Sequence, residues 1–178
     1  VFDGESHRSL LGHDELWNRS IVIASFGKTF HATGWKLGYC IAPPSLTVEF
    51  RKVHQFTTFS VSTPMQHAVA DFLETHPEFY AELPAFYERK RDRFCDLLAG
   101  SRFRLQPARS TFFQILDYGA ISDDDDLALA KRWTHDAGVA SIPLSVFCER
   151  AFTGNRLRFC FAKDDQTLET AAGKLCAL

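Results

Sequence analysis

Residues 25–38 read SFGKTFHATGWKLG, a lysine between glycine and threonine directly after the apolar run IVIA at 21–24, with a second lysine eight positions on. Two phosphate chemistries compete for such a stretch. GKT is how a nucleotide-binding loop ends, and that loop needs a glycine, four residues, then GK and Ser or Thr. Counting back from Gly27 reaches Val22, inside the apolar run, so the first glycine is missing. Without it the backbone cannot wrap its N–H groups around a phosphate. The segment also leads through FHATGWKLG toward an apolar, strand-like run rather than into a long helix. The nucleotide loop is excluded.

The other chemistry is a lysine that forms an imine with an aldehyde cofactor. Pyridoxal phosphate needs an amine nucleophile, and cationic neighbours lower a lysine pKa enough to supply one. Lys28 follows a strand end, where ligands gather in open α/β sheets. Ser25 can offer a hydroxyl to the phosphate and Lys36 a cation, while Gly27 and Gly34 allow close backbone approach. Spacing alone leaves a second possibility open, a surface loop with two solvated lysines.

The bulk numbers fit a globular domain or two small ones. The chain has 178 residues, 46% hydrophobic, enough to bury a core. A net charge of -2 argues against electrostatic capture of nucleic acid or an acidic membrane. The 17 phenylalanines are spread along the chain, which points to core packing rather than a base-stacking platform. Cys40, Cys95, Cys148, Cys160 and Cys176 are odd in number and widely spaced, so neither a disulfide framework nor a zinc site is expected. That composition suits a reducing compartment, the cytoplasm. No apolar run approaches the roughly 20 residues that span a bilayer. The opening VFDG reads as a strand end entering a turn, and the chain is expected to be the C-terminal part of a longer protein.

Along the chain, IVIA predicts a short strand buried on both faces, and LGYCIAP (37–43) the next strand, stopped by Pro43 and Pro44. The segment between them is expected to be a loop. Residues 45–56 predict a helix capped by Ser45. Helical patterns follow to His76-Pro77 and on to Gly100, with Pro84 a break or kink and ERKRDR a solvated face. The rest alternates strands RFRLQP, TFFQILDY and RLRFCFA with helices DDLALAKRWTHDAG and DQTLETAAGKLCAL, an α+β module. The run Asp123–Asp126 reads as a helix opening after Ser122, not as a metal site.

The stretch SFGKTFHATGWKLGY closely resembles the cofactor-lysine segment of class I aminotransferases, the fold-type I pyridoxal-phosphate enzymes. Within them it is similar to the branch holding kynurenine, glutamine and methionine aminotransferases. VFDGESHRSL, VHQFTTFSVSTPMQHAVA, SIPLSVF and RLRFCFAKDDQTLETAAGKL extend the resemblance over essentially the whole chain. It implies an α/β fold, the C-terminal part of a fold-type I transferase. Residues 1–75 would end the large mixed-sheet domain, 76–100 form a connecting helix, and 101–178 make the small α+β domain.

The resemblance also implies roles. Lys28 would hold the cofactor and serve as general base; Ser25 and Lys36 would anchor its phosphate. Arg158 would grip the substrate α-carboxylate, although on residues alone Arg156 is a fair rival, since i and i+2 share a strand face. Phe59 and Ser60 match positions that reach a neighbouring subunit's pocket, and Pro143 and Phe147 a segment flanking the entrance. Cys148 stands where relatives carry tyrosine. Ser110, preceded by Arg109, stands where relatives carry a glycine that can serve a left-handed turn. Other cofactor contacts of the family fall upstream of Val1, so the 178 residues alone are expected not to turn over.

The expected activity is transfer of an amine from a methionine-like or aromatic amino acid to a 2-oxo acid, in a homodimer without nucleic-acid or membrane partners. Two rivals are a cysteine-S-conjugate β-lyase on the same scaffold and a non-catalytic domain of a regulator.

Overall fold

The computed structural model describes residues 1–150 and 152–178. The chain divides into two compact units, Ser6–Glu82 and Val1–Glu5 together with Leu83–Leu178.

In the first unit a one-turn helix α1 (Asp14–Trp17) leads to strand β1 (Val22–Ser25). The chain then makes the helical turn α2 (Phe26–Thr29) and returns as β2 (Gly38–Ile41). The two strands pair antiparallel with Ser25 opposite Gly38 and Val22 opposite Ile41. The expected loop therefore contains helical structure, because the Ser25 hydroxyl accepts the Gly27 N–H at 3.1 Å and starts a turn. Among the described residues β1 pairs with β2 alone and Ile23 is 76% exposed, so the expected burial of IVIA on both faces is not seen in this portion of the chain.

Helix α3 (Pro44–Thr57) starts one residue earlier than expected. Pro43 occupies the cap position and Pro44 the first turn, so Ser45 lies inside the helix and caps nothing. Helix α4 (Thr63–Thr75) follows, and its Phe72 meets Phe30 edge-on at 5.4 Å. Phe30 also stacks on Phe79 at 5.7 Å, which ties the segment after Lys28 to the helices.

Helix α5 (Glu78–Leu97) runs through Pro84 unbroken. Beyond it the second unit builds a four-stranded antiparallel sheet in the order β3-β4-β6-β5. The strands are β3 (Arg104–Leu105), β4 (Phe113–Asp117), β5 (Ile142–Pro143) and β6 (Arg156–Cys160). Helices α6 (Asp126–Asp136) and α7 (Asp165–Cys176) complete the unit. Alternation along β6 sends Leu157 and Phe159 inward while Arg156 and Arg158 face the other way. Leu116 lies opposite Leu157, and both are fully buried, contributing about 2 kcal/mol each by area. Phe103 meets Trp133 edge-on at 5.6 Å in the same core.

Two details correct the sequence reading. The cap of α6 is Asp125, which accepts the Ala128 N–H at 2.9 Å, while Ser122 accepts the Asp124 N–H. The ERKRDR face is not uniformly solvated: Arg91 is 3% exposed. Its neighbours Lys90 and Arg93 pair with Asp165 and Glu169 of α7.

Candidate active site

Backbone geometry assembles the lysine segment. Ser25 ends β1 and its hydroxyl sits 3.5 Å from the Leu37 carbonyl, which also accepts the Phe26 N–H at 3.1 Å. Lys28 lies on α2, three residues on, and its side chain is exposed. Lys36 adopts a left-handed conformation, φ 54° and ψ 37°, immediately before Leu37. So Ser25 and Lys36 flank one carbonyl at the mouth of the β1–β2 ladder. No carboxylate of the described residues ion-pairs with Lys28 or Lys36.

Glycine makes this packing possible, but not at the second position expected. At Gly27 an added Cβ would stand 3.1 Å from Thr33 Cα and 3.3 Å from the Ser25 hydroxyl. At Gly38 it would stand 2.5 Å from the Ala24 carbonyl oxygen, a backbone atom that cannot swing away. At Gly34 nothing lies within 4 Å. The close approach belongs to Gly27 and Gly38. Replacing Gly38 with alanine is therefore expected to pry β1 from β2 at Ser25 and lower stability by about 1–3 kcal/mol. Gly34→Ala should stay within about 0.5 kcal/mol. Parallel thermal melts measure both, and equal effects would refute the assignment.

Among the described residues this segment carries the donor types that a phosphate-bearing aldehyde needs: an exposed amine at Lys28, a hydroxyl at Ser25 and a second ammonium at Lys36.

Phe59 and Ser60 lie just past α3 and stand in the open. Phe59 is 81% exposed at φ 60°, an uncommon conformation for an aromatic residue. The Ser60 hydroxyl donates to the neighbouring Val61 carbonyl at 3.1 Å and its N–H to the Thr58 carbonyl at 2.8 Å.

In the second unit the sheet separates the two rival arginines. Arg156 is exposed and stands 3.9 Å from Asp117, its register partner on β4. Arg158 lies in register with Ile115 on one side and Ile142 on the other. Its guanidinium carbon sits 4.1 Å from the centre of the Phe113 ring and 5.0 Å from that of Phe147. Its Nε is buried and has no hydrogen-bond partner, and no carboxylate of the described residues pairs with it. The guanidinium thus lies against two aromatic rings with its Nε donor unpaired. Pro143 pairs with Leu157 on the inner side, buried, and Cys148 is exposed. The five cysteines are free thiols.

The expected left-handed position near Ser110 is occupied instead by Thr111, at φ 70°. Arg109 pairs with Glu5, and its carbonyl accepts the Phe2 N–H at 2.9 Å. Sequence reasoning missed Arg91 entirely; its only signal was a charge at an otherwise apolar helix spacing.

The model of the family described as aminotransferase class I and II matches residues 3–175. The chain belongs to that family. It is 48% identical to the methionine aminotransferase of Escherichia coli K12 over 98% of its length, covering 45% of that relative. It is 34% identical to the kynurenine–oxoglutarate transaminase of Dictyostelium discoideum, of which it covers 46%. The solved structure of an Escherichia coli protein with methionine aminotransferase function superimposes with a TM-score of 0.93 over 97% of this chain and 46% of that one, at 48% identity. The N-succinyldiaminopimelate aminotransferase of Mycobacterium tuberculosis gives 0.91 at 33% identity, over 99% of this chain and 46% of that one. The fold is thus that of fold-type I aminotransferases, and the chain spans about half the length of the relatives it matches. Among the described residues no helix is long and apolar enough to cross a membrane.

Proposed function

We propose that this chain is the C-terminal portion of a pyridoxal-phosphate-dependent amino acid aminotransferase. Its donor would be methionine or an aromatic amino acid, and its acceptor a 2-oxo acid. The observation that carries this reading is Arg158, a guanidinium between two rings with an unpartnered donor. It grips the α-carboxylate common to donor and acceptor, so that one site serves both halves of a ping-pong cycle.

Ser25 and Lys36 hold the cofactor phosphate. Lys28 would hold its aldehyde, and its amine would move the proton on Cα. When bound, pyridoxal phosphate supplies the aldehyde that takes up the amine and the ring that draws electrons from Cα. The Phe113 and Phe147 rings would hold the guanidinium in place for the carboxylate. Phe59, presented to solvent at the end of α3, together with Ser60 serves the pocket of a second subunit in a homodimer. The end of the large domain, a connecting helix and the small domain would fall at 1–75, 76–100 and 101–178, with Val1–Glu5 returning to the compact unit of Leu83–Leu178. Five free thiols suit the cytoplasm. Residues 1–178 alone should not turn over.

With L-methionine or L-phenylalanine and a 2-oxo acid, the full-length protein is expected to form a new amino acid only when the acceptor is present. Acceptor-independent pyruvate release from a cysteine S-conjugate, with no amine transfer, would instead assign a β-lyase. A regulator would show neither reaction.

A further inference from the structure

The buried guanidinium of Arg91 ties three parts of the second unit together. On its own helix it bonds Asp92, with Nε to the carboxylate at 2.8 Å, and stands 3.6 Å from Glu88. On the N-terminal segment it makes a two-pronged pair with Asp3, both bonds 2.8 Å, and lies 5.0 Å over the Phe2 ring. Through Nη1 it also donates to the Ala108 carbonyl at 2.9 Å. The Asp3 carboxyl is held below its usual range, first by the hydrogen bond from Arg91.

Ala108 begins a loop that is bound at every turn. Its N–H donates to the buried Gln114 side chain at 2.9 Å, and that side chain donates in turn to the Gln106 and Ile115 carbonyls at 2.8 and 2.9 Å. The Arg109 carbonyl is held by Phe2. Thr111, β-branched yet left-handed, accepts the Phe113 N–H at 3.2 Å. A residue held in a costly conformation persists only where its surroundings over-determine it. This loop delivers the chain into β4 at Phe113, whose ring carries the Arg158 guanidinium, and Ile115 lies opposite Arg158 in register.

We propose that Arg91, locked by Asp3, is a positioning residue that sets the Phe113 shelf and so the plane of Arg158. The inference rests on the reading of Arg158 as the carboxylate grip. Arg91 touches no substrate; it acts by fixing the loop before β4. Lysine cannot replace it, because an ammonium lacks the fork that reaches Asp3 and Ala108 together.

The test is calorimetric binding to the full-length protein of 3-phenylpropionate, which has the carboxylate, and 2-phenylethylamine, which lacks it. Asp3→Asn and Arg91→Lys are each expected to weaken 3-phenylpropionate about fivefold, the worth of one hydrogen bond, while the amine stays within about twofold. Should Arg91→Lys not fold, the isosteric Asp3→Asn still carries the comparison. Equal weakening of both ligands would reduce Arg91 to general stability, and no weakening of either would remove it from the site; both overturn the proposal. Arg158→Met, run in parallel, must lose 3-phenylpropionate. If it does not, the grip itself is misassigned, a failure distinct from that of Arg91.

Discussion

In a full-length protein carrying Lys28→Ala, amine transfer is expected to fall by about a thousandfold or more, the contribution of a positioned proton-transfer group. The reason is double. The amine that secures the cofactor is gone, and so is the base that moves the Cα proton. Lys28 is exposed on α2 while Gly27 beside it is buried, so trimming the lysine should remove the amine without unfolding the turn. Equal thermal melts for variant and parent, beside the lost activity, would separate chemistry from stability. A variant retaining a tenth of the parent rate would show that another group moves the proton.

The second large effect belongs to Arg158. Arg158→Met is expected to weaken both amino acid and 2-oxo acid about a hundredfold, since a charge-assisted, bidentate pair is lost from a site flanked by aromatic rings. Arg158→Lys keeps the charge without the fork and should fall between parent and Met variant. Arg156→Met supplies the contrast. Its partner Asp117 stands 3.9 Å away and Arg156 is exposed, so its pair is worth little and substrate binding should change by less than about twofold. Reversed effects at 156 and 158 would exchange the two assignments.

Local structure was legible in the sequence where a few adjacent residues carry it. Ser25, Lys28 and Lys36 fall within twelve residues, and strand, turn and strand follow from the apolar runs on either side. The antiparallel pairing and the Gly38 contact were not legible, because they depend on which backbone lies across the ladder. Arg156 and Arg158 share one strand face, so sequence spacing could not tell them apart. Asp117 near Arg156, and Phe113 and Phe147 beside Arg158, come from other segments and give the two side chains different surroundings.

Burial misled the sequence reading at one charged position of α5. Arg91 looks like solvent-facing charge because it sits in ERKRDR, yet its partner Asp3 lies 88 residues away in the chain. No periodicity within α5 encodes that pairing.

The proposed covalent bond at Lys28 can be read directly. Borohydride reduction of the full-length protein loaded with pyridoxal phosphate, followed by peptide mass spectrometry, is expected to find a phosphopyridoxyl group on Lys28. The group on Lys36 or any other lysine, or no covalent group at all, would contradict the site built here.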